Sequence, residues 1–223
     1  MELNNWLSDN YIEIFGAVTG ILYVFLEIRQ NIWLWPVGIV TSAVYILVFF
    51  TSKFYADMSL QGYYLVISVL GWYWWVRGGG QRAEGRGPSF AEASEDKGER
   101  EIDERSEEIP QNGSEKLVVS RLRLRTGIIL MVVFSVLFAV IWLVLDRLTD
   151  SPVPGWDSFI TSLSIIATWM LARKIYEHWY LWIIVNTASV ILFIARGLYP
   201  TVILYVIYCV MSFAGLKAWK RSL

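Results

Sequence analysis

The chain has a single cysteine and a single histidine among its 223 residues. Cys209 stands alone in an apolar run, so no disulfide framework exists and the residue reads as a small buried hydrophobe. His178 falls beside Glu177 at the expected end of an apolar segment and reads as a surface residue. No group of His, Cys and carboxylates has metal-ligand spacing. No Gly-rich loop closes on Gly-Lys-Ser or Gly-Lys-Thr, which excludes ATP hydrolysis by a phosphate-loop mechanism. No nucleophile stands with a base, and no buried acidic pair suggests a proton pump. Neither metal, cofactor nor nucleic-acid partner is expected, and the chain does not read as an enzyme. Basic residues are missing from Met1 to Asn10, ahead of the first apolar stretch, so a cleaved signal peptide is not expected.

Charge is scarce as well. Only 17% of residues are Asp, Glu, Lys or Arg, against about 25% in an ordinary soluble domain. Apolar residues make up 56%, aromatics 16%, and mean hydropathy is +0.47. A lipid bilayer is the natural solvent for such a chain. Seven segments reach the length a membrane-spanning helix needs, near 11–28, 33–51, 56–76, 124–145, 156–172, 179–196 and 199–217.

These segments are not independent. Phe15 to Trp75 reappears without a gap 144 residues later as Phe159 to Trp219, with thirteen identical pairs. The telling matches are Arg29/Arg173, Trp35/Trp179, Tyr55/Tyr199, Tyr64/Tyr208, Ser68/Ser212, Gly71/Gly215 and Trp75/Trp219. An internal repeat in a membrane protein is the usual footprint of a transporter whose substrate sits between the halves. The repeat takes the first three segments and the last three and leaves the fourth unpaired. Two three-helix units joined by one odd helix must insert in the same sense, so the expected fold is all-α, three plus one plus three, with parallel repeats.

Four stretches follow: a three-helix bundle at 1–77, a charged linker at 78–123, a connecting helix with an external loop at 124–155, and a second bundle at 156–223. The linker abandons apolar residues for Gly, Glu, Arg and Ser and reads as a solvated tether. With the N-terminus outside, the external connections hold only Lys53, Arg147 and Arg196, and the remaining sixteen Lys and Arg fall inside. This bias sets N-outside, C-inside. Arg121, Arg123 and Arg125 then sit among anionic headgroups.

Positions three and four apart share a helix face. One face of the second segment carries Trp35, Gly38, Ser42, Tyr45 and Phe49; its repeat partner carries Trp179, Trp182, Asn186, Ser189 and Phe193. The third aligns Asp57, Gln61, Tyr64, Ser68, Gly71 and Trp75, and the seventh Thr201, Tyr205, Tyr208, Ser212, Gly215 and Trp219. Polar stripes flanked by rings do not suit lipid. Gln61 and Asn186 are amides within the span, able to read a ligand or to bond helix to helix. Trp182 and Tyr64 are equally open to packing or ligand contact. Trp6, Trp33, Trp75, Trp156 and Trp219 read as interfacial anchors. Gly16 with Gly20, and the Gly71/Gly215 pair, read as close backbone contacts. Glu13, Glu27 and Asp57 read as solvated or paired end charges, with a lesser reading as negative potential for an entering cation. The halves diverge on their faces: Gly38 answers to Trp182, Ser42 to Asn186 and Gln61 to Tyr205.

The run from Asn31 to Trp75, NIWLWPVGIVTSAVYILVFFTSKFYADMSLQGYYLVISVLGWYWW, resembles the second and third helices of the PnuC family of vitamin uptake transporters. Trp179-Tyr180-Leu181-Trp182 followed by Asn186 resembles the family's WxxW and Asn pattern, and the closing GLKAW its Gly-aromatic-x-x-Trp ending. The resemblance covers both repeat units. It implies a fold like that of the SWEET sugar transporters in a bacterial cytoplasmic membrane, and facilitated diffusion of an unphosphorylated vitamin that a cytoplasmic kinase then traps. Nicotinamide riboside is the implied substrate and thiamine the alternative. Both are cationic heteroaromatics, suited to aromatic walls by cation-π attraction of about 0.5 to 2 kcal/mol per contact. The implied substrate-binding residues are Gln61, Tyr64, Trp182 and Asn186, with Trp35, Tyr45, Tyr205 and Tyr208 as supporting walls. The linker is longer and more acidic than the family's. A membrane receptor or scaffold working through that linker is the alternative of another class, and a homo-oligomer stays open.

Overall fold

The computed structural model describes residues 11–51, 55–77, 118–149 and 152–223. Among these residues the protein is all-helical, with seven helices: α1 (Tyr11–Ile28), α2 (Leu34–Thr51), α3 (Tyr55–Arg77), α4 (Leu124–Leu148), α5 (Pro154–Ala172), α6 (His178–Ala195) and α7 (Tyr199–Lys220). Each lies where the apolar segments place a span. At about 1.5 Å per residue, even the 18-residue helices reach roughly 27 Å, close to a hydrocarbon core of about 30 Å. By length and composition alone, α4, α6 and α7 qualify as spans, and α1 and α2 contain shorter apolar helices.

The stops are written locally. Gln30 turns left-handed after α1 (φ 51°), and Asn31 N–H reaches back to Leu26 O at 2.9 Å. Lys174 does the same after α5 (φ 51°), with Ile175 N–H on Met170 O at 2.9 Å. These are repeat-equivalent residues making the same helix-ending bond. Gly197 closes α6 in a third such turn (φ 71°). Restarts use fixed chemistry too: the Asn31 side-chain oxygen accepts from Trp33 N–H at 3.0 Å before α2, and Pro154 and Pro200 open α5 and α7, where a missing N–H costs nothing.

Packing runs in a ring. α1 lies on α2, α2 on α3, α3 on α5, α5 on α6, α6 on α7, and α7 returns to α1. Outside this ring α4 packs on α5 and has no buried residue, as befits a helix apolar all round. The tightest packing centres on two tryptophan pairs. Trp35 meets Trp75 edge to face at 5.4 Å, and Trp179 meets Trp219 likewise at 5.9 Å. A Cβ on Gly71 would fall within the Trp35 ring, and one on Gly215 within the Trp179 ring.

Buried residues of α2, α3, α6 and α7 crowd toward the end that gathers the C-termini of α1, α3, α5 and α7. Arg173 and Lys174 cap that end, over the Trp74 and Trp75 rings at 4.1 and 4.2 Å. The chain from 194 to 200, at the opposite end, is exposed.

Three expectations need correction here. Trp75 and Trp219 are not interfacial anchors but core residues, because each packs edge to face on a tryptophan that is itself seated over a glycine. The glycines receive side chains rather than backbones: tryptophan rings at Gly71 and Gly215, and the Tyr45 and Tyr208 hydroxyls at Gly16 and Gly20. Residues 118–123 are not solvated tether throughout. Val119 is buried, and Ser120 bridges to Ile175, accepting from Tyr176 N–H at 2.9 Å and donating to Lys174 O at 3.0 Å. Trp6, linker residues 78–117, and the Glu13 and Asp57 side chains lie outside the described residues.

Candidate solute-binding site

A cavity of about 430 Å³ lies within the ring and is partly open. All six ring helices line it. From the first half come Thr19, Gly20, Tyr23, Val24 and Glu27 of α1, Gly38, Thr41, Ser42 and Tyr45 of α2, and Gln61, Tyr64 and Ser68 of α3. The second half supplies Ile160, Ser164 and Thr168 of α5, Trp179, Trp182, Val185 and Asn186 of α6, and Tyr205, Tyr208 and Ser212 of α7. Most of these stand in repeat-equivalent pairs: Gly20 with Ser164, Val24 with Thr168, Gly38 with Trp182, Thr41 with Val185, Ser42 with Asn186, Gln61 with Tyr205, Tyr64 with Tyr208, Ser68 with Ser212. The duplicated frame therefore aims the same positions at one space.

Of the eight residues the sequence nominated, Gln61, Tyr64, Trp182, Asn186, Tyr45, Tyr205 and Tyr208 meet at this cavity. Trp35 does not. Its ring is packed between Gly71 and Trp75, away from the lining, whereas its equally buried repeat partner Trp179 borders the lumen. Sequence reading nominated no site residue from α1 or α5, giving Glu27 alone a lesser reading as negative potential for an entering cation. The stripe was present at helical spacing in Gly20, Val24 and Glu27, and in Ile160, Ser164 and Thr168, but its weak polarity did not stand out.

Asn186 is held in place. Its side-chain nitrogen donates to Ser212 Oγ at 3.1 Å, and Ser212 Oγ donates to Tyr208 O at 2.8 Å. Asn186 Oδ1 can then accept from a guest. Trp182 Nε1 is a buried donor without a protein partner in the same wall. The Thr168 and Ser164 hydroxyls donate to carbonyls one turn back, and Ser164 also meets the Tyr64 side chain, tying α3 to α5 across the lumen wall. Hydroxyls, amides and aromatic rings thus surround a volume of small-molecule size.

His178 overturns its reading as a surface residue, whereas Glu27 is a paired charge near a helix end, as one of its readings had it, but a buried one. Their exposures are 0% and 2%. His178 Nε2 lies 3.0 Å from Glu27 Oε1, and Nδ1 lies 2.7 Å from Ile175 O. Trp179 and Trp219 flank the imidazole at 4.7 and 4.6 Å. Glu177 turns elsewhere, its Oε2 accepting from Leu122 N–H at 2.8 Å. A partner 151 residues away in sequence, in the other half of the chain, cannot be read from local context.

A ring of membrane-length helices around an aromatic, hydroxyl-rich lumen is the anatomy of a multi-pass membrane transporter for a small solute. The chain belongs to the nicotinamide mononucleotide transporter family, whose family model matches residues 10–221. It is 27% identical to the nicotinamide riboside transporter PnuC of Escherichia coli (strain K12), over 96% of this chain and 86% of that protein. It is 23% identical to the riboflavin/roseoflavin transporter RibM of Streptomyces davaonensis, over 96% and 92%. Among solved structures, that of the vitamin B3 transporter PnuC matches with a TM-score of 0.66 at 22% identity, over 98% of this chain and 84% of the other. The protein is accordingly a transporter and not an enzyme.

Proposed function

We propose that the protein carries nicotinamide riboside into the cytoplasm by facilitated diffusion. The lining of the cavity supports this reading. Among the described residues it offers no Lys or Arg, so a phosphate would enter without a counter-ion from them, at an uncompensated desolvation cost. It does offer seven aromatic residues, two amides and several hydroxyls, which suit a flat cationic ring bearing a carboxamide and a ribose. The ring of the solute stacks on Trp182 or a facing tyrosine, and Asn186 and Gln61 read the carboxamide and the ribose hydroxyls. The relatives named for nicotinamide riboside point the same way.

The helices read as two parallel three-helix units joined by α4, in the manner of SWEET transporters. The matching turns at Gln30 and Lys174 and the matching Trp-over-Gly contacts support this. With the N-terminus outside, the crowded end faces the cytoplasm, and transport requires the two units to rock so that it opens. A cytoplasmic kinase would trap the solute. The lumen is complete within one chain, so a homo-oligomer is not required.

Binding titrations of purified protein test the reading. Nicotinamide riboside should bind at least roughly tenfold more tightly than its 5′-phosphate, about 1.4 kcal/mol, and more tightly than thiamine or riboflavin. Equal binding of the phosphorylated form, or tighter binding of thiamine, would overturn it. Protein lacking residues 81–115 should bind as well as the full chain; loss of binding would favour a receptor working through the linker.

A further inference from the structure

We infer that Glu27 reads the positive charge of the solute, with His178 holding its carboxylate in register; this rests on the riboside reading above. Glu27 is the only carboxylate among the described residues lining the cavity, which they furnish with no Lys, Arg or His. Its placement is specified from three sides. Oε1 meets His178 Nε2, the main-chain oxygen of Glu27 accepts from Trp219 Nε1 at 3.0 Å, and the residue borders the lumen.

The hydrogen bonds define the charge. A carbonyl oxygen can only accept, so His178 Nδ1, against Ile175 O, carries a proton. Nε2 then either accepts from a neutral carboxyl or, as part of an imidazolium, donates to a carboxylate. Both forms leave the pair with no net charge, which is why it can be buried. In the ionised form the negative end borders the lumen and the positive end lies behind it. A cation entering the cavity favours that form and is drawn to it, in surroundings that screen little.

The duplicated half shows that packing does not demand this pair. The repeat equivalents of Glu27 and His178 are Leu171 and Leu34, both fully buried in the apolar cluster. A polar pair at one of two equivalent places, bordering the lumen, is what selection for charge requires and what bundle stability does not.

The test compares nicotinamide riboside with its reduced dihydropyridine form, which has nearly the same shape and an uncharged ring, on purified wild-type protein and on Glu27→Gln. Glutamine keeps the volume and can donate to a neutral His178 Nε2. Wild-type protein should prefer the cation by roughly tenfold or more, as a charge-assisted contact would give. Glu27→Gln should lose most of that preference while its affinity for the reduced form changes less than about twofold. Glu27→Asp should keep the preference, which covers failure of the glutamine variant to fold. Equal affinities in wild-type protein, or a parallel loss for both solutes in Glu27→Gln, would overturn the inference and leave the riboside reading standing. Wild-type protein that bound neither solute would overturn both.

Discussion

Leu34 and Leu171 occupy in the duplicated frame the places that His178 and Glu27 occupy 144 residues on and 144 residues back. All four are buried in the same helix bundle, yet one pair is apolar and the other is a hydrogen-bonded acid and base. Their surroundings remain alike: each half lays a tryptophan over a glycine and braces it with a second tryptophan. Even so, the difference spreads. Trp219 Nε1 bonds to the Glu27 main chain, whereas Trp75 Nε1 is buried without a partner. Packing volume preserves the frame, and changes made on both sides of a contact together introduce chemistry without disturbing it.

Breaking one side of that comparison should have the largest effect. His178→Ala leaves Glu27 buried against an empty space, and thermal unfolding in detergent should show a loss of about 3 to 5 kcal/mol. A loss no greater than an exposed substitution gives would mean that the carboxylate finds water easily. The frame itself is probed next. Gly71→Leu and Gly215→Leu each drive a side chain into a tryptophan ring and should cost about 1 to 3 kcal/mol apiece, by similar amounts if the two halves are true equivalents. The lumen faces come third. Asn186→Ala should weaken riboside binding roughly tenfold with insertion intact, whereas Ser42→Ala, at the equivalent place, should change it less than about threefold. The smallest stability effect belongs to the variant that makes the halves alike. Glu27→Leu with His178→Leu should stay within about 1.5 kcal/mol of wild type while abolishing the preference for a cation.

Much of the fold was legible because membranes impose simple rules. Segment length placed the seven helices, and the repeat carried by Arg29/Arg173 and Trp35/Trp179 is the ground for the grouping proposed above. Helical spacing brought Gln61, Tyr64, Trp182 and Asn186 to one space, because polar residues in a greasy helix have few places to go. It misled where aromatic character alone was the guide. Trp35 and Trp179 are identical in type and repeat position, and both are fully buried over a glycine, but only the second borders the cavity. Trp75 and Trp219 lie near helix ends, where lipid interfaces usually claim tryptophan, and were drawn instead into the core.

The sequence by itself determined the solvent, the helices and the duplication, because hydrophobic length and local turn chemistry act over a few residues. Only the tertiary structure decided which helices close the ring, which of two equivalent tryptophans lines the cavity, and that Glu27 meets His178. Those contacts join residues 151 apart across the two halves of the chain. No local pattern records such a meeting, because it depends on how two surfaces distant in sequence come to face each other.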